Sequence, residues 1–149
     1  MTWEKFWSII DRVRAQADMQ DEASVNQFLY TELINLPQDE LLGFDCAWQS
    51  YRNKANFPKM VAAACIINDG SSDDRFTDFR NWLIMQGYDA YRQALIDPIT
   101  LRRSTFRSEI LSGWDAAMWR GMLMQGRSYT PILRKRVSLL NCTESIQPC

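Results

Sequence analysis

Asp73, Asp74, Asp78 and Arg80 form the densest cluster of chemically capable side chains in this 149-residue sequence. Asp74 and Asp78 stand four positions apart, one turn on a helix, so their carboxylates share a face. Such a pair can hold a divalent cation or divide into general acid and general base. A plainer use exists. Asp73 and Asp74 open a helix, where negative charge is favoured by about 0.3–1 kcal/mol, and Arg80 can pair with a neighbouring helix. The chain has no histidine, which excludes Ser-His-Asp and Cys-His catalysis, His-ligated zinc and a histidine pH switch. No GxGxxG or GxxxxGK(S/T) phosphate loop occurs, and Gly113-Trp114-Asp115 is no GxSxG elbow. Asn68-Asp69-Gly70 lacks the alternating ligands and terminal glutamate of an EF-hand. The sequence thus assigns no catalytic residue, no metal ligand and no cofactor. The four residues are read as contacts for a partner, with a metal-dependent or carboxylate-based enzyme using Asp73, Asp74 and Asp78 as the alternative.

A second set is aromatic and basic. Eighteen aromatic residues, six of them tryptophan, mostly recur at helical spacing and read as core. Trp114 and Trp119 differ, because they lie near glycines in a basic region. With Arg120 and Tyr129 they are candidates for a contact surface, since these residue types are enriched at binding hot spots. The net charge of -1 conceals a division. Residues 1–100 carry nine basic and fifteen acidic residues, and residues 101–149 carry eight basic and three acidic. An acidic body therefore precedes a basic third, and the two can either neutralise each other or steer charged partners. Arg102, Arg103, Arg107, Arg120, Arg127, Arg134, Lys135 and Arg136 raise a nucleic-acid accessory role as a further alternative. The acidic whole, with pI about 5.4, and the lack of a nucleic-acid motif count against it.

The elements that position these residues are helical. Trp3, Phe6, Trp7, Ile10, Val13 and Ala17 form one apolar face, capped by Thr2. Asp21 opens a second helix through Val25, Phe28, Leu29, Leu33 and Leu36. Pro37 begins a third in its first turn, with Leu41, Phe44, Trp48 and Tyr51 as its stripe. Asn53 to Phe57 is a polar break. Pro58 begins an alanine-rich fourth helix running to Asn68, and Gly70 ends it in a left-handed conformation. Ser71 or Ser72 caps a fifth, with Phe76, Phe79, Trp82 and Leu83 buried and Gly87 closing it. A sixth runs from Tyr88 to Ile96 and stops at Asp97-Pro98. Beyond it, a helix after Ser104 breaks near Gly113, resumes from Trp114 to Met124, and leaves Ile132–Leu140 as a strand or docked tail. Cys46 and Cys65 read as small buried hydrophobes.

The block Ile67, Asn68, Gly70, Ser72, Asp73, Asp74, Phe76 followed by Phe79, Arg80, Trp82, Leu83, Ile84, Gln86 and Gly87 carries a resemblance. It resembles a bacterial family known as domain of unknown function 4240. Ala94, Leu95, Asp97 and Pro98 fit that family's later element, and Phe6-Trp7…Ile10 its opening. Three places depart. Asn53–Pro58 replaces a tryptophan-rich stretch, Asp69 stands for a second glycine and Ser71 for a cysteine. The resemblance covers residues 1–100 and implies a fold and a bacterial origin, with no activity attached.

The expected fold is all-α, a compact bundle of about six to eight short helices with a less regular C-terminal segment. Residues 1–100 form the family-like domain, 101–140 a helical extension packing on it, and 141–149 a disordered tail. No apolar run approaches the roughly 18 residues of a membrane helix, and the N-terminus lacks the layout of a secretory signal. The expected role is a cytoplasmic, non-enzymatic protein-binding module, most sharply an immunity protein that neutralises a cognate bacterial toxin. Membrane, nucleic-acid and small-molecule partners are not expected.

Overall fold

The computed structural model describes residues 1–67, 70 and 72–103. These form six α-helices and no strand: α1 Trp3–Gln16, α2 Glu22–Ile34, α3 Gln38–Lys54, α4 Pro58–Ile67, α5 Asp73–Met85 and α6 Tyr88–Ile96. A 3₁₀ helix, Pro98–Arg103, follows. The fold is all-α, a compact helical bundle, as the sequence leads one to expect.

Local chemistry sets the boundaries. The Thr2 side chain accepts from the Lys5 N–H, and Asp21 accepts from Ala23 and Ser24, so α1 and α2 begin where their caps stand. Ser72 does the same for α5 through the Arg75 N–H. Gly70 has φ +111° and its N–H reaches the Cys65 carbonyl at 2.9 Å, closing α4. Pro37 is the N-cap of α3, one position earlier than the first-turn reading, because its extended ψ of 154° lies outside the helix.

One helix organises the core. α1 packs against α2, α3 and α5 and buries Phe6, Ile9, Ile10 and Val13 completely. Phe6 is surrounded by rings: Phe44 at 4.8 Å, Tyr51 at 5.0 Å, Trp7 at 5.1 Å and Trp48 at 6.3 Å between centroids. α5 is enclosed on more than one side, so Arg80 through Met85 are all buried. That run exceeds the single stripe the periodicity suggests, because α1, α3, α4 and α6 all pack on it. The 3₁₀ helix crosses the expected boundary at residue 100, and Leu101 enters the same core.

Three apolar residues are less buried than the sequence leads one to expect. Trp3 was expected in the core, yet it is 38% exposed, because it is the first residue of α1 and its ring leans on Tyr88 at the surface. Cys46 and Cys65 are half-buried, since each sits at the edge of its helix's apolar stripe. Polar pairs lock α3 to its neighbours. The Trp48 indole N–H donates to Asn81 Oδ1 at 3.1 Å, and the Tyr91 hydroxyl donates to the Tyr51 carbonyl at 2.7 Å.

Phe6→Ala should destabilise the fold by about 3–5 kcal/mol, the range for emptying a buried aromatic site. Tyr91→Phe keeps the ring and loses one bond, and the Tyr51 carbonyl still accepts from Ala55 N, so its cost should be about 0.5–1.5 kcal/mol. Urea denaturation of the two variants measures both, and the order Phe6→Ala well below Tyr91→Phe is the expected result.

Candidate functional site

The carboxylates nominated by the sequence do not gather into one centre. Asp73 and Asp74 are exposed in the first turn of α5, as the dipole favours. Asp78 is half-buried one turn on. Arg80 is only 9% exposed and turns inward, away from that surface. Its Nη1 donates to the Arg52 carbonyl in the last turn of α3 at 3.3 Å, its Nη2 to Thr77 Oγ1 at 3.0 Å, and its Nε to the Phe76 carbonyl at 3.3 Å. The guanidinium lies 4.5 Å over the Phe76 ring. Burial makes Arg80 easier to deprotonate than usual, and the positive charge of Arg52 adds to that. Arg80 therefore joins α3 to α5, the pairing with a neighbouring helix that the sequence also allows. No group of three or more Cys, Asp or Glu side chains suited to a metal occurs among the described residues. Trp114, Trp119, Arg120 and Tyr129 lie outside the described residues, as do Asn68, Asp69, Ser71 and the basic residues from Arg107 onward. The side chains of Arg102 and Arg103 are likewise outside them.

A different place has the shape of a site. Where α1 meets the start of α6, an open cleft of about 530 Å³ forms, within the size range of ligand-binding clefts. Trp3, Trp7 and Tyr88 supply its aromatic wall, and Glu4, Asp11 and Asp89 its carboxylates. Tyr88 lies tilted against both tryptophans, 5.5 Å from Trp3 and 5.4 Å from Trp7 between ring centroids. Trp3 and Tyr88 are 38% and 37% exposed, so their rings meet solvent at the rim while Trp7 is buried beneath.

Beneath the cleft, Trp7 leads into the core, where its ring meets those of Tyr51 and Tyr91. Burial raises the pKa of Tyr51. The adjacent Trp7 indole offsets this in part, while the negative potential of Tyr88 and Glu4 adds to it. No acceptor meets the buried Trp7 indole N–H in hydrogen-bond geometry, a costly omission for a buried donor. Burial also raises the pKa of Tyr91, with Tyr51 contributing further.

Gly87 shapes the cleft's far end. Its φ of +89° and ψ of 169° put it in backbone territory almost confined to glycine. The Arg14 guanidinium occupies the space where a side chain would begin. A Cβ on Gly87 would meet Arg14 Nη1 at 2.3 Å. Among the described residues, Arg14 pairs with Asp11 alone, at 3.4 Å, and both are exposed, a pairing of small energetic weight. Sequence reading missed this site. Its walls come from positions 3–14 and 86–90, and periodicity assigns Trp3 and Trp7 to one buried face without showing that Tyr88 arrives beside them. The Gly87-Tyr88-Asp89 run, an aromatic and an acid directly after a closing glycine, was the available signal.

The sequence matches a family described as "Protein of unknown function (DUF4240)" over residues 1–125, extending past the first hundred residues that carry the resemblance. No curated protein and no solved structure matches the chain. No helix among the described residues is long and apolar enough to cross a membrane.

Gly87→Ala should cost about 1–3 kcal/mol, the strain of that backbone region, and displace Arg14; urea denaturation measures the first. Both buried tyrosines keep their protons more tightly in the folded chain than the usual value near 10. Their contribution to stability should therefore be constant below about pH 10 and decline above it, as the unfolded state sheds tyrosine protons first. Denaturation midpoints measured across that range should show the fall, and Tyr91→Phe should make it shallower.

Proposed function

Since the chain belongs to the DUF4240 family of unknown function, we propose its role from its own surface: a non-enzymatic protein-binding module whose contact face is the α1–α6 cleft. The observation that carries this reading is the exposed Trp3–Tyr88 pair in an acid-lined cleft. Tryptophan and tyrosine are the residue types that concentrate binding energy when a partner excludes water from them. Rigid aromatic side chains also lose little conformational freedom on contact.

The sharpest form of this proposal is an immunity protein that captures a toxin made by the same bacterium, in the cytoplasm. The small chain and the excess of acidic over basic residues in positions 1–100 support it. An acidic capture surface accelerates encounter with a basic partner and sets which partners are rejected. An inhibitor of this kind needs a complementary surface and no reaction centre.

The test is co-expression of the chain with each gene adjacent to its own, followed by size-exclusion chromatography and a growth assay. The expected result is a stoichiometric complex and rescue of growth. Trp3→Ala with Tyr88→Ala should weaken the complex by about 2 kcal/mol or more, the loss that defines hot-spot residues. Absence of any complex with any neighbouring product would refute the binding-module reading.

A further inference from the structure

We propose that the α1–α6 cleft receives a cationic side chain, a guanidinium or ammonium presented by a basic segment of the partner protein. The inference rests on the cleft being the contact face and names what it recognises.

Three observations converge. First, the cleft's charges are segregated. Lys5 and Arg12 of α1 are committed elsewhere, to Glu40 at 2.5 Å and to Glu32 at 2.8 Å. Glu4 and Asp89 have no cation within salt-bridge distance among the described residues. Asp11 shares only the 3.4 Å pairing with Arg14. The lining thus carries three carboxylates against one weakly held arginine.

Second, the aromatic wall suits a cation. The faces of tryptophan and tyrosine carry negative electrostatic potential and attract ammonium and guanidinium groups lying within about 6 Å of the ring centre. Trp3 and Tyr88 stand 5.5 Å apart at a 41° tilt, two rings at the rim that a flat guanidinium can reach. Aromatic rings beside unpaired carboxylates recur where proteins hold cationic groups.

Third, the site already shows the chemistry it accepts. The Arg14 guanidinium lies against Gly87 at the cleft's end, beside Asp11. It sits at the N-terminus of α6, where a helix disfavours positive charge. Arg14 also stands in the last turn of α1, whose C-terminal end favours a cation, and with Asp11 beside it the guanidinium is accommodated there. A cation arriving further along the cleft, by Glu4 and Asp89, meets the attraction without displacing Arg14.

The test uses the full-length chain and an acetylated, amidated peptide Gly-Arg-Gly-Arg-Gly. Its counterpart has citrulline for arginine, the same shape without the charge. Tryptophan fluorescence reads the titration at low salt. The proposal expects a saturable change, with the citrulline peptide binding about tenfold more weakly or worse. Glu4→Gln with Asp89→Asn should weaken arginine-peptide binding about tenfold. Asp18→Asn with Asp39→Asn, which removes two exposed carboxylates outside the cleft, should leave it within about twofold. Circular dichroism melts of both variants establish that they are folded. Equal binding of the two peptides, equal loss in the two double variants, or no saturable binding to the folded full-length chain would overturn the proposal. If a cellular partner still binds the wild type and Glu4→Gln/Asp89→Asn equally well, the binding-module reading survives and the cation cleft does not.

Discussion

Everything in this fold depends on the ring contacts around Phe6. Phe6 is wholly buried and touches aromatic side chains from its own helix and from α3. Aromatic pairs at these separations add about 0.5–1.5 kcal/mol each beyond the area they bury. The cluster therefore fixes the angle and register at which α1 lies on α3. Tyr51 then carries the contact outward to Trp7 at 4.8 Å and to Tyr91 on α6 at 5.5 Å. The same chain of rings reaches solvent at Tyr88 and Trp3. The exposed aromatic cleft is thus the outer edge of the core.

Two less ordinary features hold that edge in place. Gly87 allows the chain to leave α5 and enter α6 within a single residue of positive φ, which brings Tyr88 and Asp89 beside α1. Arg80 ties the last turn of α3 to α5 through backbone carbonyls. A cation near the C-terminal end of a helix is favoured by the dipole, and this offsets part of the desolvation that burial imposes. Both features act on α5 and its exits, the helix on which α1, α3, α4 and α6 all pack.

The residues that made the fold legible were local. Thr2, Asp21, Ser72, Gly70 and Gly87 each act on their own turn, so they mark the starts of α1, α2 and α5 and the ends of α4 and α5 to within a residue or two. The apolar spacing gave Phe6, Val13, Leu29, Phe44, Trp48 and Phe79 to the core correctly. Periodicity fails where three-dimensional neighbours decide. Trp3 and Trp7 share a stripe, but only the arrival of Tyr88 separates a rim residue from a buried one. Arg80 could be read as a contact beside Asp73 and Asp74 or as a partner for a neighbouring helix, and only the packing of α3 on α5 shows it bonded to the Arg52 carbonyl. The cleft combines residues more than seventy positions apart, a pairing that no local pattern encodes.

In our proposal, the acid-lined aromatic edge of the core is where this chain meets a cation. Nuclear magnetic resonance of the tryptophan indole N–H groups tests it most directly, because Trp3 and Trp7 line the cleft while Trp48 and Trp82 lie in the core. On adding arginine amide, the account predicts progressive, saturable shifts of the Trp3 and Trp7 signals with those of Trp48 and Trp82 unmoved. Shifts confined to Trp48 and Trp82, or no saturable shift at Trp3 and Trp7, would contradict it.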